Sequence, residues 1–142
     1  MKKQVIVMSR HQAESAIWEH GPIISIAGSN DVQADLEGND WHAKLRVFFD
    51  DITTETNGSL LFGEQDAQLI KGYVGAYCDA DMIYVHCAAG VSRSVAVGMW
   101  IAETQDRVLV LCAAAGTSGY NVHVYNMLNH DGRMASLEEA FK

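Results

Sequence analysis

The run His86-Cys87-Ala88-Ala89-Gly90-Val91-Ser92-Arg93-Ser94 sets a thiol, a guanidinium and two hydroxyls within nine residues. Met82-Ile83-Tyr84-Val85 leads into it and Val95-Ala96-Val97-Gly98-Met99-Trp100 leads out. This pattern predicts a buried strand that delivers the cysteine to a tight loop, which then opens a helix. Free N–H groups and the positive dipole end at a helix start attract anions. A cysteine held there is biased toward thiolate, the nucleophilic form. Arg93 can fold back and grip two oxygens of a tetrahedral oxyanion with its planar fork. Ala88 to Ser92 carry no charge and mostly small side chains, so their amides can turn inward as an anion-binding nest. A nucleophile, an anion cradle and a bidentate clamp together describe thiol-based phosphoryl transfer.

The elements that must position this loop follow from residue pattern. Strands are predicted over 4–8, 23–27, 44–49 and 82–86, the last buried on both faces because its apolar run is continuous. Helices are predicted over 9–18 with Ser9 as cap, over 64–77, and over 92–103. In the second of these, Ile70, Tyr73, Val74 and Tyr77 share a face, while Gly72 and Gly75 weaken the helix and offer close packing against the sheet. Residues 28–40 and 50–59 read as polar loops. The stretch 107–115 is divided: Val108 to Leu111 have strand residue types and Cys112 to Ala115 helical ones. Ser118 is the expected cap of a helix in which Tyr120, Val124, Met127 and Leu128 share a face, and Ser136 with Glu139 forms a capping box for a last short helix. Strands alternating with helices imply an α/β domain over residues 1–142, with a central, mostly parallel sheet flanked by helices on both faces. Ligands of such sheets bind beyond the carboxyl ends of strands, where Cys87 falls.

Composition narrows the function classes. At 142 residues and 49% apolar the chain has enough material for a core. Its formal charge of −8 argues against nonspecific nucleic-acid binding and against an anionic membrane surface. It does not oppose an anionic substrate, because a local nest and one arginine outweigh a distant mean field. No signal peptide or membrane span is expected. Cys78, Cys87 and Cys112 form no paired spacing, so no zinc site and no metal is expected. Cys78 and Cys112 read as core residues, with a regulatory disulfide to Cys87 left open. A reducing cytoplasm fits a thiolate nucleophile.

A phosphate-ester leaving group also needs a proton, usually from a carboxylic acid on a separate loop. Asp50 and Asp51 follow the apolar run Leu45-Arg46-Val47-Phe48-Phe49 and so sit at another strand end, 36 residues before Cys87 in the case of Asp51.

The signature from His86 to Ser94 resembles that of the protein tyrosine phosphatase superfamily, His-Cys-x5-Arg-Ser/Thr. With Gly90, Ser92, Arg93 and Ser94 it looks most like the small bacterial type of the dual-specificity branch. The run Phe49-Asp50-Asp51-Ile52 resembles the acid segment of the same members, and Asp131-Gly132-Arg133-Met134 looks like their tail. The resemblance covers about Val47 to Trp100. It implies that Cys87 is the nucleophile, that Ala88, Ala89, Gly90, Val91, Ser92 and Arg93 bind phosphate, and that Asp51 rather than Asp50 is the general acid. It implies that Ser94 hydrogen-bonds the sulfur, and that His86 is a buried residue orienting the loop rather than a base. No cofactor is implied. The partner implied is a phosphorylated protein or a small phosphomonoester. Loops selective for phosphoinositides carry basic residues, and Ala88, Ala89, Val91 and Ser92 supply none. Phosphotyrosine, phosphoserine or phosphothreonine, a 5′-phosphorylated RNA and a sugar phosphate all present the same group to such a loop. Rhodanese-like sulfurtransferases and arsenate reductases also place a cysteine in an anion loop, and a noncatalytic phospho-binding module would use the same cradle.

Overall fold

Among the residues described by the computed structural model, 2–15 and 17–130, five strands and four helices alternate along the chain, except that the second strand runs into the third without a helix between them. They are β1 (Gln4–Ser9), α1 (Arg10–Glu14), β2 (Pro22–Ala27), β3 (Ala43–Phe48), α2 (Glu64–Ala76), β4 (Met82–Cys87), α3 (Arg93–Gln105), β5 (Val108–Leu111) and α4 (Val122–Asn129). The strands form one sheet in the order β3-β2-β4-β1-β5, with every pair parallel. Parallel pairing exposes no strand face to water without a cover, so the strands must be apolar on both sides. Val5, Val7, Ile24, Ile26, Ile83 and Val85 are buried at 1% exposure or less.

Alternation along each strand splits the apolar side chains between two cores. Val5, Ile24, Ile83, Val85 and Cys87 pack with Ile70, Ala96, Val97, Ile101, Val124 and Leu128, residues of α2, α3 and α4. Ile6, Met8, Ile23 and Tyr84 pack on the other face with Ala13 of α1 and with Ala34, Leu36 and Trp41 of the loop after β2. The central strand is β4. Its carboxyl end lies beside that of β1, with Ser9 paired to Cys87, and one residue from that of β2, where Ser25 pairs with His86.

Several elements depart from the sequence expectation. The first helix ends at Glu14 instead of Trp18, because Ser15 turns to an extended conformation. The Trp18 indole then donates to the Gln12 carbonyl at 2.6 Å and stacks edge-on against Tyr84. Burying that ring against the sheet outweighs about one more turn of an isolated helix. Val108 to Leu111 form an edge strand paired with β1, and Cys112 to Ala115 are not helical; the Cys112 N–H continues the pairing by donating to Val7 at 2.9 Å. Asn121, not Ser118, caps α4, its side chain accepting from the Val124 N–H. Residues 117–120 close a turn, which leaves Tyr120 outside the helix to stack on Tyr125. The predicted last helix and the tail around Arg133 lie outside the described residues.

The glycines of α2 also differ from expectation. A Cβ at Gly72 or Gly75 would meet nothing within 4 Å, so neither serves close packing. The close approach is at Gly98 of α3, where a Cβ would run into the Val7 side chain. Gly72→Ala and Gly75→Ala are each expected to stabilise the fold by about 0.5–1 kcal/mol, since only chain entropy changes. A urea midpoint that falls in either variant would count against this.

Candidate active site

The carboxyl ends of β4, β2 and β3 carry the polar side chains. After β4 the backbone turns sharply at Gly90, whose φ is +75°. A Cβ there would lie 2.5 Å from the Ser9 nitrogen and 2.7 Å from the Met8 carbonyl oxygen. The position thus needs glycine both for its left-handed backbone and for the closeness of β1. The Gly90 N–H points back to the Cys87 sulfur at 3.3 Å, and the Ser94 hydroxyl lies 3.1 Å from the same sulfur. Both contacts suit a thiolate. Two carbonyls of the loop are bonded to its surroundings: Ala88 accepts from Arg10 at 3.1 Å, and Ser92 accepts from Ala96 and Asn121, each at 3.1 Å. Carbonyls tied off in this way leave the amides as the polar groups available to an anion.

α3 begins without a side-chain cap. Ser92 stands at its N-cap position, yet its hydroxyl donates to Asp51 Oδ1 at 2.7 Å rather than to its own helix. The first N–H groups of α3 therefore receive no side-chain oxygen, which leaves the helix end free to bind an oxyanion. Arg93, the first residue of α3, is 6% exposed. Its Nη1 donates to the Phe49 carbonyl at 2.9 Å and pairs with Asp31 Oδ2 at 2.9 Å. Its Nε is buried and has no partner among the described residues. A buried N–H left unpaired costs about 1–3 kcal/mol, and an oxyanion accepting from the Nε edge would satisfy it.

The two aspartates after β3 part company, as neighbours on an extended segment do. Asp50 accepts from the Ser29 N–H and hydroxyl and from the Leu60 N–H, at 2.7 to 3.0 Å. The Leu60 N–H, then the Ser29 donors, hold its carboxyl below the usual carboxylate range, which makes it a poor proton donor. Asp51 turns instead to the loop around Cys87, accepting from Ser92 and, at 2.8 Å, from Asn121 Nδ2. Its Oδ2 has no hydrogen-bond partner among the described residues.

His86 points to the face opposite Cys87. Its Nδ1 lies 3.2 Å from the Cys87 carbonyl, which can only accept, so Nδ1 carries the proton and Nε2 accepts from Ser25 Oγ at 2.6 Å. Burial pushes its pKa down from 6.5 to about 4, so the ring is neutral and is an orienting residue. The unfolded chain binds a proton between those two values that the folded chain refuses, so stability must fall as pH drops through that window. The expected loss is about 3 kcal/mol between pH 7 and 4. Asp31, Asp50 and Glu14, whose carboxyls are held low, lose their contributions only below their ordinary values of 3.8 to 4.5. Urea midpoints measured from pH 7 to 4.5 check this, and an unchanged slope in His86→Asn would refute it.

All the residues singled out from the signature thus meet at one end of the sheet: Cys87, the loop Ala88 to Arg93, Ser94, His86 and Asp51. Two further participants were not legible. Asp31 was read only as one acid of a polar loop, and it fixes one edge of the Arg93 guanidinium. Burial opposes its charge, but the Gly28 N–H and Arg93 outweigh this and hold its carboxyl low. Asn121 falls inside the helix predicted to begin at Ser118, and nothing in the sequence signals its contact to Asp51. Of the remaining cysteines, Cys112 packs against the second core and Cys78 belongs to neither. Cys78 is exposed, and its carbonyl accepts from Lys3 at the amino end of the sheet. Cys112 is half-buried, and burial pushes its thiol up, away from thiolate. It follows β5, two strands from β4 and thus roughly 10 Å from Cys87 at the usual strand spacing. A disulfide between them would need backbone movement, since Cα atoms beyond about 7 Å cannot be bridged.

A hollow of about 720 Å³ over Glu64, Gln65, Gln68 and Leu69 of α2 is an open shelf lined by no nucleophile. Among the described residues no three His, Cys, Asp or Glu side chains are grouped to hold a metal. No helix among them is long and apolar enough to cross a membrane. Protein-family models, curated proteins and solved structures contain no match to the chain.

Proposed function

We propose that the chain is a cysteine-dependent phosphomonoester hydrolase that works through a phosphocysteine intermediate, of the dual-specificity phosphatase type. The observation that carries this is the convergence of three groups on one loop. The Cys87 sulfur sits between the Ser94 hydroxyl and the Gly90 N–H. The buried Arg93 offers an unpartnered Nε. A carboxylate, Asp51, is bonded to the loop's own Ser92.

The Cys87 thiolate attacks phosphorus in line with the ester oxygen. The loop amides and the Nε edge of Arg93 hold the equatorial oxygens as charge develops on them. The P–O bond to the leaving group breaks, and Asp51 gives its proton to the departing oxygen. Asp51 then takes a proton from water as that water attacks the phosphocysteine. The S–P bond breaks, inorganic phosphate leaves, and Ser94 stabilises the returning thiolate. The chemistry requires no metal or organic cofactor.

The substrate is a phosphomonoester on phosphotyrosine, with phosphoserine and phosphothreonine open to the same site. Arg93 pairs with the Asp31 carboxylate at 2.9 Å, and the Asp50 carboxylate lies near enough to interact with its charge. One clamp flanked by acids suits a single phosphoryl group better than a polyphosphorylated ligand. A reducing cytoplasm is the compartment in which Cys87 would persist as a thiolate.

The test is hydrolysis of an aryl phosphate, inhibited competitively by vanadate, set beside sulfur transfer from thiosulfate to cyanide. Hydrolysis without sulfur transfer is expected. Sulfur transfer alone would assign a rhodanese-like enzyme, and vanadate binding without either turnover would assign a phospho-binding module.

A further inference from the structure

Asn121 is 3% exposed and lies 70 residues from Asp51 in the chain. Every polar atom of its side chain is engaged. Nδ2 donates to Asp51 Oδ1 at 2.8 Å and to the Ile52 carbonyl at 3.1 Å, while Oδ1 accepts from the Val124 N–H at 3.1 Å. The groups facing Nδ2 can only accept and the group facing Oδ1 can only donate, so the amide has one orientation. Its backbone N–H donates to the Ser92 carbonyl at 3.1 Å. One residue thus joins the start of α4, the segment carrying Asp51, and the loop carrying Cys87.

We infer that Asn121 is the positioning residue of the general acid, holding Asp51 Oδ1 so that Oδ2 is the oxygen that exchanges the proton with the leaving group. This rests on the phosphatase reading of the site. Asp51 is exposed and precedes a loop of Thr, Asn and Gly residues, so its carboxyl would otherwise rotate freely. Ser92 and Asn121 both donate to the same oxygen, Oδ1. Two donors on one oxygen fix the plane of the carboxyl and leave the other oxygen for the reaction. A proton donor works only when it lies within hydrogen-bond reach of the departing oxygen, so losing this fixation costs rate specifically where a proton is needed.

The structural and positioning roles separate by substitution. Serine and aspartate cap helices as well as asparagine does. Asn121→Ser and Asn121→Asp therefore keep the cap of α4 and remove the N–H donated to Asp51. Wild type, Cys87→Ser and both Asn121 variants would be assayed on phenyl phosphate and on 2,4-dinitrophenyl phosphate, whose leaving group needs no proton. The inference expects kcat on phenyl phosphate to fall by about 10- to 100-fold in both Asn121 variants, with the dinitrophenyl ester and the inhibition constant of inorganic phosphate nearly unchanged. It also expects Asn121→Ser to cost nothing further in an Asp51→Asn background, since the two act as one unit. Equal losses on both esters, or additive losses in the double variant, would make Asn121 a merely structural residue and overturn the inference while leaving the phosphatase reading intact. Turnover unchanged by Cys87→Ser would overturn both.

Discussion

Cys87→Ser is expected to abolish turnover of an aryl phosphate, by roughly 10⁴-fold or more, while phosphate still binds. The sulfur lies at the centre of the loop, 3.1 Å from Ser94 Oγ and 3.3 Å from the Gly90 nitrogen. A serine oxygen occupies the same place and accepts from the same donors, so the loop keeps its shape. It is not ionised near neutral pH, however, and a neutral hydroxyl with no base beside it is a poor nucleophile. His86 cannot act as that base, because its ring faces away and is engaged by Ser25 and the Cys87 carbonyl. Anion affinity should stay within a few-fold of wild type, since backbone amides and Arg93 supply it. Cys78→Ser and Cys112→Ser should leave turnover unchanged, one being at the opposite end of the sheet and the other two strands away. Calorimetric binding of phosphate beside a rate assay checks both halves. Full activity in Cys87→Ser would sink the mechanism.

The second large effect is expected at Asp51. Asp51→Asn should lower kcat by about 10²- to 10⁴-fold, the usual worth of a positioned acid. Asparagine keeps an oxygen to accept from Ser92 and Asn121, so the loss reflects the missing proton and not a displaced segment. The deficit should shrink as the leaving group becomes more acidic, and nearly vanish for a dinitrophenyl ester. Asp50→Asn should behave differently. It weakens the bonds to Ser29 and Leu60 that close the segment, so its smaller effect should be the same for every leaving group. A large, leaving-group-dependent loss in Asp50→Asn, with Asp51→Asn active, would transfer the acid to the neighbouring residue.

The strand–loop–helix unit around Cys87 was readable because its determinants are local. An apolar run, a glycine, a helix start and a fixed spacing from thiol to guanidinium lie within one stretch of chain. The alternation of strands and helices was readable for the same reason, and so was the apolar strand that ends in Asp50 and Asp51. The reading failed where local preference met a competing contact. Ser118 has the right side chain for a helix cap, but the chain turns before the helix and Asn121 takes the role. Cys112 to Ala115 have helical residue types, but the segment continues beyond an edge strand held by β1. Gly72 and Gly75 look like packing residues in sequence, yet only the sheet's position decides that among the glycines of α2 and α3 it is Gly98 that is pressed against a neighbour.

What the residues determined alone is therefore the chemistry on offer: a thiol at a strand end, an arginine able to face it, hydroxyls beside both, and two acids at another strand end. Which of these groups meet was decided by the fold. Apolar periodicity states that a strand is buried but not which strand lies beside it, and only the order β3-β2-β4-β1-β5 brings Ser25 to His86. Asp31 reaches Arg93 across 62 residues of chain, and Asn121 reaches Asp51 across 70. Contacts at such separations leave no periodic trace in the sequence. They arise because parallel strands direct all their carboxyl ends to one side, where loops from distant parts of the chain must satisfy one another's polar groups.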